Sequence, residues 1–125
     1  MTKRIITYPP KGMRHVIAVG YSNGANIAAS ALLLRPEILS SAILFRAMVP
    51  FVPEPLPDLS SKHVFLSSGL FDSIVPKQEA ESLFSLFKNA GAKVSQYWQN
   101  SGHELVMKEV QKAKGWLQQH SPSFV

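Results

Sequence analysis

Cysteine is absent from this chain of 125 residues. Its absence removes disulfides, thiolate nucleophiles and Cys-based zinc sites, and it suits a reducing, cytoplasmic setting. Charged residues are also sparse, at 17%, which excludes a charge-rich disordered chain. No uninterrupted apolar run reaches the roughly 18 residues that a spanning helix needs. The start, Met1 to Pro9, has two positive charges but no long apolar stretch, so a secretory signal is not expected. Aspartate occurs only twice, as Asp58 and Asp72, which narrows any search for a catalytic carboxylate.

What is present is apolar: 46% of residues are hydrophobic and 10% aromatic. That supplies one core and predicts a single domain over 1–125. The net charge is +5. Lys3, Arg4, Lys11 and Arg14 fall in the first segment and the other basic residues are dispersed, with Lys108, Lys112 and Lys114 on a late helix. Aromatics are not interleaved with them as a stacking platform would require, so nucleic-acid binding is not expected and the charge reads as solubilising.

Periodicity divides the chain. Residues 15–21 form a short β-branched run ending in Gly20-Tyr21 and predict a buried strand. Asn23 to Leu34, rich in Ala and Leu and closed by Arg35-Pro36, predicts a helix. Residues 41–45 and 63–67 predict two more buried strands, and 93–98 alternates in the manner of an edge strand. Ala80, Leu83, Phe84, Phe87 and Ala90 recur at helical spacing, with Pro76 suited to the first turn and Gly91 to the C-terminal cap. Val106, Val110, Ala113 and Leu117 mark the apolar stripe of a last helix. Strands alternating with helices imply an α/β domain, three layers deep, with a mainly parallel sheet between flanking helices. Met48 to Pro57 breaks the pattern: four prolines alternate with apolar residues, which predicts either a rigid surface connection or a pocket wall.

Gly20-Tyr21-Ser22-Asn23-Gly24 matches G-x-S-x-G and joins a predicted strand to a predicted helix. That is the setting of a nucleophile elbow, a tight turn that pushes the Ser hydroxyl clear of the sheet. Gly20 and Gly24 admit the close approach of strand and helix, and the backbone N–H of Asn23 points where an oxyanion would develop. The competing reading is a Ser that merely caps the helix. A Ser nucleophile needs a base, and the base an orienting acid. Asp72 follows the third strand, whereas Asp58 lies in the Pro-rich loop. Of four histidines, His15 and His63 begin strands at the wrong edge, and His120 lies in the C-terminal tail. His103, in Ser101-Gly102-His103, follows the fourth strand. Ser22, Asp72 and His103 thus each follow a parallel strand, in the chain order that an α/β-hydrolase uses.

Residues 20–28, then Ser68-Gly69 to Val75-Pro76, then Ser101-Gly102-His103, resemble the small carboxylesterase/phospholipase or dienelactone-hydrolase-like branch of the α/β-hydrolase superfamily. The likeness runs from about Arg14 to about Leu117. It implies Ser22 as nucleophile, His103 as general base and acid, and Asp72 as orienter. It implies no metal and no organic cofactor. Small or lipid-like esters or thioesters, cleaved through an acyl-enzyme, are the implied substrates. Leu70-Phe71 makes the acid loop more apolar than is usual for the family.

Such enzymes carry strands and a helix upstream of the elbow strand, with a loop that donates a second oxyanion N–H. Only about 14 residues precede that strand here, and they contain no His-Gly-Gly segment. The expectation is therefore a truncated α/β-hydrolase fold whose oxyanion hole rests on Asn23 alone. Losing one donor typically costs about 10²–10³ in rate. An unpaired strand edge and uncovered apolar surface should follow. Either Met1 to Tyr8 adds a strand there or two copies form a homodimer, and the latter is favoured. Three functions follow: a serine esterase with the Met48 to Leu56 loop in its acyl pocket, a shortened module with little turnover that serves assembly or binding, and a generic α/β ligand-binding domain.

Overall fold

A computed structural model describes residues 16–120. Four strands form one sheet in the order β1 (Ile17–Tyr21), β2 (Ser41–Phe45), β3 (His63–Gly69), β4 (Lys93–Gln99). Every neighbouring pair is parallel. Three α-helices, α1 (Asn23–Leu34), α2 (Lys77–Asn89) and α3 (Met107–His120), and a short 3-10 turn at Pro36–Ile38 complete the described chain. The element order and fold class match the expectation, and the helix after the Ser-containing turn ends where Arg35-Pro36 stops it.

The two faces of the sheet are read off alternate residues. Ala18, Ala42, Leu44, Val64 and Leu66 face α1 and α2. Helix α1 lies against them through Leu32, Leu33 and the small Ala25, Ala28 and Ala29, which let the helix approach the sheet closely. Helix α2 adds Leu83, Leu86 and Phe87. Ile43, Phe45 and Phe65 point the other way and meet Ala113 and Trp116 of α3. The result is the expected three-layer arrangement. Gly91, with φ of 99°, ends the second helix as predicted, and its N–H donates to the Lys88 carbonyl at 2.9 Å. Pro76 sits one residue earlier than expected, capping rather than entering the first turn.

Two expectations need correction. The buried stripe of α3 is Glu109, Ala113 and Trp116, while Val110 is 37% exposed. The helix is rotated toward Trp116, whose ring lies 5.6 Å from that of Phe65, because the larger aromatic surface outweighs a valine. His120 belongs to α3 rather than to a tail, with its ring 5.1 Å from that of His63. The Pro-rich loop also does more than connect. Val49 and Phe51 pack onto the α1/α2 core, while Val52 and Leu56 stay exposed. Asn26 on α1 accepts the Met48 N–H at 2.7 Å, and Glu79 on α2 accepts the Val49 N–H at 2.9 Å.

Among the described residues, β4 pairs only with β3, in keeping with its half-buried residues, and β1 pairs only with β2. On the α3 side of β1, Val19 and Tyr21 are 37% and 38% exposed, and Ile27 and Leu34 of α1 are exposed as well. The expected added strand from Met1 to Tyr8 lies outside the described residues, as does His15. None of the described helices is long and apolar enough to cross a membrane.

Candidate active site

Parallel strands place all their carboxyl ends on one edge, and the loops beyond that edge hold the candidate residues. Ser22 directly follows β1. Its φ of 57° and ψ of −117° lie outside the ordinary left-handed region, a conformation that costs about 1–3 kcal/mol and persists only when the surroundings impose it. The Ser22 N–H donates to the Phe45 carbonyl at 2.8 Å, which ties the turn to the end of β2. A Cβ on Gly20 would fall 2.4 Å from the backbone of Gly24, so glycine is required where β1 and α1 meet. The Ser22 side chain makes no capping bond to α1, which removes the helix-cap reading. Asn23 opens α1, where the first N–H groups have no partner inside the helix.

The Ser22 hydroxyl lies 3.0 Å from Nε2 of His103, and Nδ1 of His103 lies 2.8 Å from Oδ2 of Asp72. The three predicted residues therefore form one line of hydrogen bonds. With Asp72 accepting from Nδ1, the proton resides there and Nε2 is left to accept from Ser22. Oδ1 of Asp72 accepts the N–H groups of Ile74 and Val75 at 2.7 and 2.9 Å, so the acid is held by its own loop. Burial pushes the Asp72 carboxyl up. The Val75 N–H, the His103 imidazole and the Ile74 N–H outweigh that and hold it below the ordinary carboxylate value. Tyr21 does more than shape the elbow: its phenol donates to the His103 carbonyl at 2.9 Å.

The other candidates lie elsewhere. Asp58 is exposed and accepts the Ser60 N–H. His63 begins β3 at the amino edge, where burial first, then the nearby His120 and Lys93, push its imidazole below its ordinary value. Among the described residues no cluster of His, Asp and Glu is arranged to hold a metal. A groove of about 300 Å³ between α2 and β4 is lined by Glu81, Phe84, Ser85, Gln96 and Trp98, none of them in the line of bonds.

Sequence reasoning missed Arg46 and Glu109. Arg46 follows β2, so each of the four strands delivers one residue to the edge. Its guanidinium makes a bidentate pair with Glu109 of α3, at 2.6 and 2.8 Å, and both side chains are wholly buried. Burial pushes Glu109 up, and Arg46, Ser67 and the Val106 N–H outweigh it, so the net direction is down. Two signals were present: a charge abutting the buried run Ala42 to Phe45, and an acid on the inner face of α3, one turn before Ala113.

No family model matches the sequence. A protein named "Putative hydrolase MhqD" of Bacillus subtilis is 44% identical over 104 residues, covering 83% of this chain and 52% of that protein. A carboxylesterase of Bacillus cereus superposes with a TM-score of 0.81 at 45% identity, over 83% of this chain and 49% of that one. A carboxylesterase of Mesorhizobium loti gives 0.74 at 29% identity, over 81% and 48%. The chain spans about half the length of the relatives it matches.

The titration of these groups gives a stability profile with a definite sign. Asp72, Glu109 and His63 all bind protons less readily in the fold than in the unfolded chain, so acid favours unfolding. The contribution of His63 is complete above its ordinary value of 6.5 and is lost as pH falls through its folded value. Those of Asp72 and Glu109 are complete above 3.8 and 4.5 and are lost below. Denaturation followed against pH should show unfolding free energy falling in two stages, with His63→Gln removing the upper one and Asp72→Asn weakening the lower. A flat profile from pH 7 to pH 3 would contradict this.

Proposed function

We propose that this chain, which is similar over most of its length to carboxylesterase-type α/β-hydrolases and carries part of their fold, is a serine hydrolase acting on small carboxylic esters. The observation that carries this reading is the line from Ser22 through His103 to Asp72, at 3.0 and 2.8 Å, around a serine held in a strained backbone. Hydrolase and carboxylesterase are the names of the relatives that share this half of the fold, which supports the reaction class.

The mechanism follows from the geometry. Ser22 Oγ attacks the ester carbonyl carbon as its proton passes to Nε2 of His103. The imidazolium so formed is stabilised by Asp72, which keeps its own charge and takes no proton. The Asn23 N–H stabilises the oxyanion. Collapse breaks the bond to the alkoxy oxygen, which leaves as alcohol with the proton from Nε2. Water then gives a proton to Nε2 and attacks the acyl-enzyme, and the carboxylic acid departs as Ser22 regains its proton. No metal or organic cofactor takes part in these steps.

A second reading rests on the exposed Val19, Tyr21, Ile27 and Leu34. The chain would then serve as an assembly or binding module with little turnover. The two readings separate on a short-chain nitrophenyl ester. The esterase reading predicts turnover that falls by at least about 10³ in Ser22→Ala and His103→Ala, and by a similar factor in Asp72→Asn. Equal rates in all four proteins, each folded, would support the module instead.

Among the described residues, the exposed Val19 and Tyr21 of β1 and Ile27 and Leu34 of α1 favour self-association under either reading, since apolar patches of this kind mark interfaces. Light scattering should therefore give the mass of a homodimer or larger, and Val19→Lys should shift it toward the monomer. A monomeric wild-type protein at all concentrations would remove the dimer proposal.

A further inference from the structure

Arg46 is the largest of the fully buried side chains among the described residues, at 1% exposure. It has φ of 59°, in the left-handed region, and its N–H donates to the Ser67 carbonyl at 2.9 Å. All five of its guanidinium N–H groups find acceptors. Nη1 and Nη2 take the two carboxylate oxygens of Glu109, and Nη1 also lies 3.5 Å from the Ser67 carbonyl. The remaining donors go to one short segment. Nε donates to the Gly102 carbonyl at 3.0 Å, and Nη2 to the Glu104 carbonyl at 2.9 Å, with the Ser101 hydroxyl 3.3 Å away. Gly102 and Glu104 flank His103, whose own carbonyl takes the Tyr21 phenol. Three successive carbonyls are thus held from outside the segment that bears the base.

A buried ion pair of this kind is a poor means of adding stability, because well-packed apolar side chains in its place are often neutral or better. Its fork geometry does something apolar groups cannot: it fixes the direction of several acceptors at once. We propose that Arg46, locked by Glu109, is a positioning residue that sets the 101–104 segment so that His103 meets Ser22 on one side and Asp72 on the other. The proposal rests on the serine-hydrolase reading of the same site. Glu109 has a second part in it. Nε of Arg46 stands 3.9 Å from Oδ2 of Asp72, too far for a hydrogen bond but close enough to attract it. With Glu109 neutralising the guanidinium, Oδ2 remains the partner of His103.

The test is the double variant Arg46→Met with Glu109→Leu, which removes fork and counter-charge together and leaves neither charge buried alone. Two readouts are taken on the folded protein: kcat and KM for a nitrophenyl ester, and the downfield proton resonance of His103 Nδ1–H held by Asp72. The expected result is cooperative unfolding retained, KM little changed, kcat lower by on the order of 10²-fold, and the resonance lost. Arg46→Lys, which keeps the charge opposite Glu109 but not the fork, should recover only part of the rate and should broaden the resonance. It decides the question by the same readouts should the double variant fail to fold. A folded variant with wild-type kcat and an intact resonance would overturn the proposal. Absence of turnover in the wild-type protein counts against the hydrolase reading instead, and the resonance alone then decides the positioning.

Discussion

The strands all run in one direction, and the site depends on it. In a parallel sheet the chain must travel back across a face before each new strand, so consecutive carboxyl ends collect on the same edge. Ser22, Arg46, Asp72 and His103 lie 81 residues apart at the extremes in sequence, yet each stands just past a strand end. The register carries this outward into the loops. The Ser22 N–H bonds Phe45, the Arg46 N–H bonds Ser67, and the Leu70 N–H bonds Gln99, so the ladder continues beyond the sheet and sets the height of each loop. Close approach finishes the alignment: a Cβ on Gly69 would fall 2.2 Å from the Gly102 carbonyl, so the acid loop and the base loop touch through glycine.

The charges obey the same economy. Asp72 and Glu109 are buried carboxylates that burial alone would tend to protonate, and each stays charged because donors surround it. Arg46 answers Glu109, and the Ile74 and Val75 N–H groups with the His103 imidazole answer Asp72. Buried charge here ties the strand-end loops together, and the apolar core on both sheet faces holds the domain together.

Much of this was legible in the sequence because periodicity and chain order are local or nearly so. The run Ser41 to Phe45 and the helix Asn23 to Leu34 were readable at their observed bounds, and Ser22, Asp72 and His103 were readable from what precedes them. What escaped depends on contacts across the fold. The inner face of α3 is set by Trp116 meeting Phe65, a pairing that helical spacing does not contain. Arg46 looks like a solvated loop charge until Glu109, 63 residues later, is seen to cover it. Val49 and Phe51 flank Pro50 and read as a surface connection or a pocket wall, yet they pack, partly buried, against the core beside α1 and α2.

The central claim is that Ser22 is a nucleophile activated by His103 and Asp72. The most direct measurement is mass-spectrometric mapping of the adduct formed with a fluorophosphonate, which reports the nucleophile without asking for fast turnover. The account predicts one phosphonylated residue per chain, located at Ser22, with labelling abolished in Ser22→Ala and strongly slowed in His103→Ala. Folded wild-type protein that takes up no label, or takes it up elsewhere, would contradict it.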